Sequence, residues 1–517
     1  MKCTLTAMIA SIVCLNAFGQ DVNINSFGAV ADGITINTPF IQSAIDSCAR
    51  NKVGRVRVPA GIYIVGTRHL KTNVELFLSP GAIIKGSSNL RDYETYIPGK
   101  PCSPVHKRMF FTEDAKNVSI TGSGQINGNG NNFFDLNTAK KLDAATTRFT
   151  RQKGNFRHVA TGIGDGPVVP GERPYQMFVF SNCTRVSIKD IFIREAPFWC
   201  MHMADCDAVN ISGIRLWNNL LEPNADGIDI TSCTNVIISN CDIRSGDGAI
   251  AIPGYDHQFE IPSYKGLHHA SENILVMNCN LQSYSSAVRI GFLDQNSVRN
   301  IEVNNCIITN STRGIGIFLR DEGSLSNINF NNITIDTKLP TGDWWGTGEP
   351  IHISAVRGKE GVKLGTIEHV KFNHIICKGE SGILVYGSRE SVIDDVVFED
   401  VSFDLTDSKL NSVSGGNIDL RGCMGDSLQL FQRDIPAILI MYANHIRLEN
   451  ILQRWSNTSQ AFFTHGIGLD HFDGVTIRNF NGSASPINHA AFLLSAINGK
   501  HLAIDNKFNT YIKNVQN

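Results

Sequence analysis

The sequence carries no surplus of charge of either sign: 46 Lys and Arg stand against 48 Asp and Glu, for a net charge of −2 over 517 residues. A basic footprint is therefore missing, and nucleic acid is not an expected partner. Long apolar runs are also scarce. The stretch from Ala7 to Val13 is too short to span a bilayer, and no other segment could cross one, so no transmembrane segment is expected. None of the 13 cysteines forms a Cys-x-x-Cys metal framework. His257, His268 and His269 lack a regular ligand spacing, so no metal is assigned. Long amphipathic helical patterns are few, which argues against a helical bundle and for an all-β chain.

What is present begins with a leader. Met1-Lys2-Cys3, an apolar stretch and Ala17-Phe18-Gly19 before Gln20 read as a secretory signal peptide over residues 1–19. Val13 is bulky where a lipid-attachment site at Cys14 would carry a small residue, so plain export, periplasmic or extracellular, is the reading. Eleven cysteines remain, and an odd count leaves at least one unpaired. Cys233, Cys241, Cys279, Cys306 and Cys377 lie inside strand-like runs and are expected as small buried hydrophobes, with disulfides open for a few pairs.

The main signal is a repeated phrase: apolar, variable, apolar, polar, then Asn, Asp or Gly. It reads Val118-Ser119-Ile120-Thr121-Gly122, Val186-Ser187-Ile188-Lys189-Asp190 and Val236-Ile237-Ile238-Ser239-Asn240. Further copies start at Val209, Ile274, Ile301, Ile328, Val370, Val396, Ile446 and Val475. From Val186 onward the spacings are 23, 27, 38, 27, 27, 42, 26, 50 and 29, a base period of 23–29 with insertions. Short period-2 strands at that interval predict a parallel β-helix over residues 20–517, one solenoid domain. The closing Asn is expected to turn the chain and bond nearby backbone. Thr38-Pro39-Phe40-Ile41 through Cys48 predicts a capping helix, with Thr38 as N-cap and Phe40, Ile41, Ala44, Ile45 and Cys48 on one face. The polar stretch 131–173 reads as a long insertion of the kind that shapes binding sites.

Two acidic turns occupy neighbouring coils: Asn224-Ala225-Asp226-Gly227-Ile228-Asp229 and Ser245-Gly246-Asp247-Gly248. Asp226 and Asp247 are 21 residues apart, about one coil, and should stand one above the other. Paired carboxylates are what glycosidic hydrolysis needs: one protonated to assist the leaving oxygen, one charged to activate water. Mutual repulsion separates their pKa values and assigns the roles.

These phrases make the chain recognisable. With Phe27-Gly28-Ala29-Val30-Ala31-Asp32-Gly33, Gly122-Ser123-Gly124-Gln125-Ile126-Asn127-Gly128 and Glu195-Ala196-Pro197-Phe198-Trp199, it resembles glycoside hydrolase family 28, the polygalacturonases, over most of its length. The resemblance implies a right-handed β-helix and an inverting hydrolase of pectin-like acidic polysaccharide or its oligosaccharides, with no cofactor. It makes Asp247 the general acid and gives the water to Asp226. Three departures follow. Gly248 stands where the family has a second Asp, so Asp226 acts alone or Asp229 compensates. Ser285-Ser286-Ala287 replaces Gly-His-Gly, and Gly316-Ile317-Phe318 replaces the Arg-Ile-Lys that grips a uronate.

Arg289 and Arg320 follow these replacements and are candidates to hold an anionic sugar in a two-pronged contact. Trp199, one coil before Asp226, is a candidate to line the same groove, and Asn224 in the acidic turn is a further substrate-binding candidate. Trp344 and Trp345, with Glu349 and His352 beyond, offer indole faces for sugar rings. The insertions point to a groove closed at one end, hence an exo-acting or oligosaccharide-trimming enzyme. Two alternatives remain: a Ca²⁺-dependent pectate-lyase-like elimination using Asp226, Asp229 and Asp247 as ligands, and a non-catalytic sugar-binding β-helix, favoured by Gly248.

Overall fold

Alternation of apolar and polar residues sends every second side chain of a strand inward, and one coil cannot bury that face alone. The computed structural model describes residues 20–51, 54–94, 107–158, 166–255, 269–505 and 510–516. The expected leader at 1–19, with His257 and His268, lies outside them. Among the described residues, 33 strands join one continuous sheet whose neighbours are parallel. The repeated phrase is a ladder: Val118, Val186, Val209, Val236, Ile274, Ile301, Ile328, Val370 and Val396 pair in that order. All nine are at most 1% exposed. Each buried Val or Ile contributes about 1.5–3 kcal/mol. The chain is a right-handed parallel β-helix.

The last residue of the phrase makes the corner. Asp190, Asn240, Asn278, Asn305 and Asn332 sit in the left-handed region, with φ of 54–59°. Asn and Asp reach that region more easily than other non-Gly residues. The corner amides bond chiefly to one another rather than to backbone: Asn278 donates to Asn240 at 3.3 Å and Asn332 to Asn305 at 2.7 Å. Successive corners lie one strand spacing apart, roughly 4.8 Å, which is within reach of a side-chain amide. Ten described cysteines are buried free thiols, Cys241, Cys279 and Cys306 among them, and none of these ten is in a disulfide.

Helix α1 (Thr38–Arg50) buries Ile41, Ala44, Ile45 and Cys48 against the first coils. Its N-cap position belongs to Asn37, not Thr38, and carries no side-chain cap. Asn37 instead ties down the preceding loop through Val30 and Thr35, and Thr38 Oγ1 accepts from the Gly66 amide. Among the described residues no helix is long and apolar enough to cross a membrane.

Three insertions meet on the outside of the solenoid: the described parts of 131–173, then 338–350 and 407–437. The first pairs Phe134–Ala139 with Val168–Pro170 in an antiparallel ribbon. Its Arg157 is fully buried and donates to the carbonyls of Gly342, Trp344 and Gly346 at 3.1, 2.6 and 2.7 Å. Its Nε also reaches Ser414 Oγ at 3.2 Å, in the third insertion.

Candidate active site

Five stacked strands build the site: Met201–Ala204, Ile228–Thr231, Ile250–Ile252, Ser286–Phe292 and Arg313–Leu319. Met201, Ile228, Ile250, Val288 and Ile315 point into the core. Period 2 therefore sends the next residues outward, and they align as His202, Asp229, Ala251, Arg289, Gly316 and, one coil on, His352.

Asp226 sits at the end of the turn that enters this sheet. Asn218 holds the turn: its side-chain amide donates to the carbonyls of Ala225 and Asp226, while its oxygen accepts from the Ala196 amide. Asn224 is half-buried with φ 58°, the sharp corner that aims Asp226. The Gly227 amide donates to the Gly248 carbonyl at 2.8 Å, which locks the two acidic turns together. Asp226 thus stands beside Asp247 and opposite Gly248. A Cβ at Gly248 would lie 3.3 Å from Asp226 Oδ2, so the side chain missing from Gly248 leaves space for that oxygen.

Asp226, Asp229 and Asp247 are 1%, 0% and 5% exposed, although Asp229 faces away from the core. The oxygens of Asp226 and Asp229 make no hydrogen bond. Their nearest cation is Arg289, whose Nη2 lies 3.8 Å from Asp226 and 3.6 Å from Asp229. Burial pushes all three carboxyls above the usual range, and Arg289 pulls each back. Asp226 is raised further by Asp247 and Asp229. At Asp247, the Ser285 hydroxyl and the Gly248 amide, 2.9 Å from Oδ1, favour the charged form. This is an electrostatic cluster in which three acids share one guanidinium, so their protons are taken up and released as a coupled set. Tyr255, buried and absent from the sequence reading, belongs to the same cluster: its phenol interacts with Arg289, Asp229 and Asp226, and burial raises its pKa. It follows no repeat phrase, so no periodicity marks it.

The other candidates are placed differently. Trp199 is 6% exposed, stacked on Phe198 and edge-on to His202, on the coil before Asp229. Arg320 does not reach the acids. It is fully buried and donates to the carbonyls of Leu319, Ser354 and Leu420 and to Ser354 Oγ. A guanidinium so committed braces the third insertion and is not free for a sugar carboxylate. Trp344 is 1% exposed and packs edge-on against Tyr284, lining a cleft of about 340 Å³ with Leu221, Gln282, Thr312 and Lys338. Trp345 beside it is half-buried. Glu349 and His352 form a buried network with Arg313, Glu349 accepting at 3.3 Å from Arg313 and pairing with His352 at 3.1 Å. Phe318 folds over Gly316, where a Cβ would come within 2.5 Å of its ring, and lies between the guanidinium groups of Arg313 and Arg320. Among the described residues, no group of three or more His, Cys, Asp or Glu is arranged to hold a metal ion.

Residues 167–341, which contain both acidic turns and Arg289, match the model of the glycosyl hydrolases family 28. An exo-poly-alpha-D-galacturonosidase of Dickeya chrysanthemi is 29% identical over 268 residues, covering 47% of this chain and 44% of that protein. A probable polygalacturonase of Arabidopsis thaliana is 24% identical, covering 52% and 54%. The chain thus spans about half the length of the curated relatives it matches. In fold, it is similar to the exopolygalacturonase of Thermotoga maritima (TM-score 0.60, 20% identity, 84% of this chain and 92% of that one). It is also similar to the family 28 exopolygalacturonase of Yersinia enterocolitica (TM-score 0.62, 17% identity, 90% and 79%). The resemblance to glycosyl hydrolases family 28, first read from the acidic turns and glycine-rich phrases, is therefore shown, and it centres on the coils that carry Asp226, Asp229 and Asp247.

Proposed function

We propose that this protein hydrolyses O-glycosidic bonds in a galacturonan-type acidic polysaccharide or its oligosaccharides, with inversion at the anomeric carbon. The observation that carries this reading is the trio of buried, largely unpartnered carboxyls around Arg289 on two adjacent coils. A buried acid without hydrogen bonds is costly to the fold, and such strain collects where chemistry is done.

In this reaction Asp247 gives its proton to the glycosidic oxygen as the C–O bond breaks. Water attacks the anomeric carbon from the opposite face, and Asp226 takes the water's proton, with Asp229 filling the part left open by Gly248. Exchange with solvent then restores both groups. Burial raises the Asp247 carboxyl, which favours its protonated form, and Arg289 favours the charged form of the acids around it. Arg289 also faces the site with 13% of its side chain exposed, enough to meet one uronate carboxylate. The insertions joined at Arg157 support a site closed on one side, suited to chain ends and short oligosaccharides. The relatives named for galacturonan cleavage support the substrate class.

The test is product release from a panel of acidic polysaccharides, with anomeric configuration followed by NMR. Asp247→Asn should lower turnover at least 10³-fold, on the scale of a lost general acid, with an unchanged melting temperature. Full activity in that variant, or an unsaturated product from the wild type, refutes the reading.

A further inference from the structure

Resting on the reading above, a second feature concerns how Asp247 is held. Its backbone carbonyl accepts two short hydrogen bonds from serines, Ser245 Oγ at 2.6 Å and Ser283 Oγ at 2.7 Å. Both serines are 0% exposed. Ser245 and Ser283 are register partners on successive coils. Ser283 Oγ in turn accepts from the Ser285 amide at 2.9 Å, and the Ser283 amide donates to Ser311 Oγ on the coil beyond at 3.0 Å. The Ser285 hydroxyl acts on the Asp247 carboxyl in the sense that favours its charged form, and Oδ1 also takes the Gly248 amide at 2.9 Å.

These positions face the interior at the edge of the apolar core, on a ladder that continues through Ser311 and Thr337. A buried hydroxyl stabilises nothing there unless it is bonded. Here each bond ends on the turn that bears Asp247 or on the serine that supports it. Ser283 has one hydroxyl proton and donates it to the Asp247 carbonyl.

We infer that Ser245, Ser283 and Ser285 are positioning residues for Asp247, fixing its peptide and its carboxyl together so that the acid meets the leaving oxygen in one orientation. None touches the substrate. Asp226, Asp229 and Arg289 are the charged groups that interact with Asp247, and none of them bonds to these hydroxyls.

The full-length protein carries the test. Ser283→Ala should lower kcat about 10- to 100-fold, the range of a misplaced catalytic group, with KM within twofold. Ser283→Thr, which returns the hydroxyl, should recover most of the loss. Ser285→Ala removes a bond that favours the carboxylate, so the alkaline limb of the rate profile should move to higher pH. Selective ¹³C labelling of aspartate, with Asp247→Asn as the assignment control, reads the same upward shift without turnover. A wild type inactive on every substrate would sink the hydrolase reading alone, since the carboxyl titration still decides the positioning role. An unshifted titration in Ser285→Ala, or a kcat loss in Ser283→Ala that only follows melting temperature and that threonine does not repair, overturns the inference.

Discussion

Glu222 lies four residues before Asp226 and is 0% exposed. Neither of its carboxylate oxygens is within hydrogen-bond geometry of a partner. Burial, then the charge of Glu195, pushes its pKa from 4.5 up to about 8, against the pull of Arg173 and Asn219. The folded protein therefore holds a proton between pH 4.5 and 8 that the unfolded chain releases. The stability this proton confers is fully present below pH 4.5 and is lost as pH rises through 8. A rise of 3.5 units, at about 1.4 kcal/mol per unit, sets a ceiling of about 5 kcal/mol. Integrated from pH 5 to 8, the loss is about 3.5 kcal/mol. Glu222→Gln cannot take up or release that proton, so its advantage over the wild type should grow by that amount over the same range. An unfolding entropy of about 2.1 cal/mol/K per residue gives about 1 kcal/mol/K for a chain of this size. The melting-temperature difference should thus widen by about 3 °C toward pH 8. Differential scanning fluorimetry at both pH values reads it directly. A difference independent of pH, or one that shrinks toward pH 8, refutes the argument that Glu222 is folded as the neutral acid.

Two further outcomes are expected. Arg289→Met removes a cation that lowers all three aspartates, so their pKa values rise together. The acidic limb of the rate profile should move to higher pH and turnover should fall about 100-fold or more, as measured by initial rates between pH 4 and 9. Gly316→Ala puts a methyl 2.5 Å from the Phe318 ring and should destabilise by about 1–3 kcal/mol. Phe318→Leu should relieve part of that, so denaturant titration of the double variant should show clear non-additivity.

The fold was legible because a solenoid turns sequence spacing into spatial neighbourhood. Val186 meets Val209, and Val209 meets Val236, as the repeat phrase predicts. The same arithmetic brought Asp226 and Asp247 to adjacent turns, and strand parity sent Asp229 and Arg289 outward on one ladder. What the spacing could not convey depends on chain that leaves the repeat. Arg320 looked free because its partners do not follow the repeat; one of its acceptors is Leu420, 100 residues on. Trp344 looked like a platform, but it is packed edge-on against Tyr284, and its carbonyl is held by Arg157. Ser283 gave no signal at all, since a serine in a strand reads as ordinary until the carbonyl it serves is seen.

The junction at Arg157 also bears on how the molecule comes apart. In a simple stack each coil touches only its neighbours, and unravelling can start at either end and advance stepwise. Here one guanidinium joins segments 185 to 189 residues apart, and Gln152 and Asn417 pair across 265. The coils between these staples gain or lose order together, while the terminal coils remain free to fray. The middle of the solenoid should therefore melt last, and cleavage by proteases should begin at the two extremities.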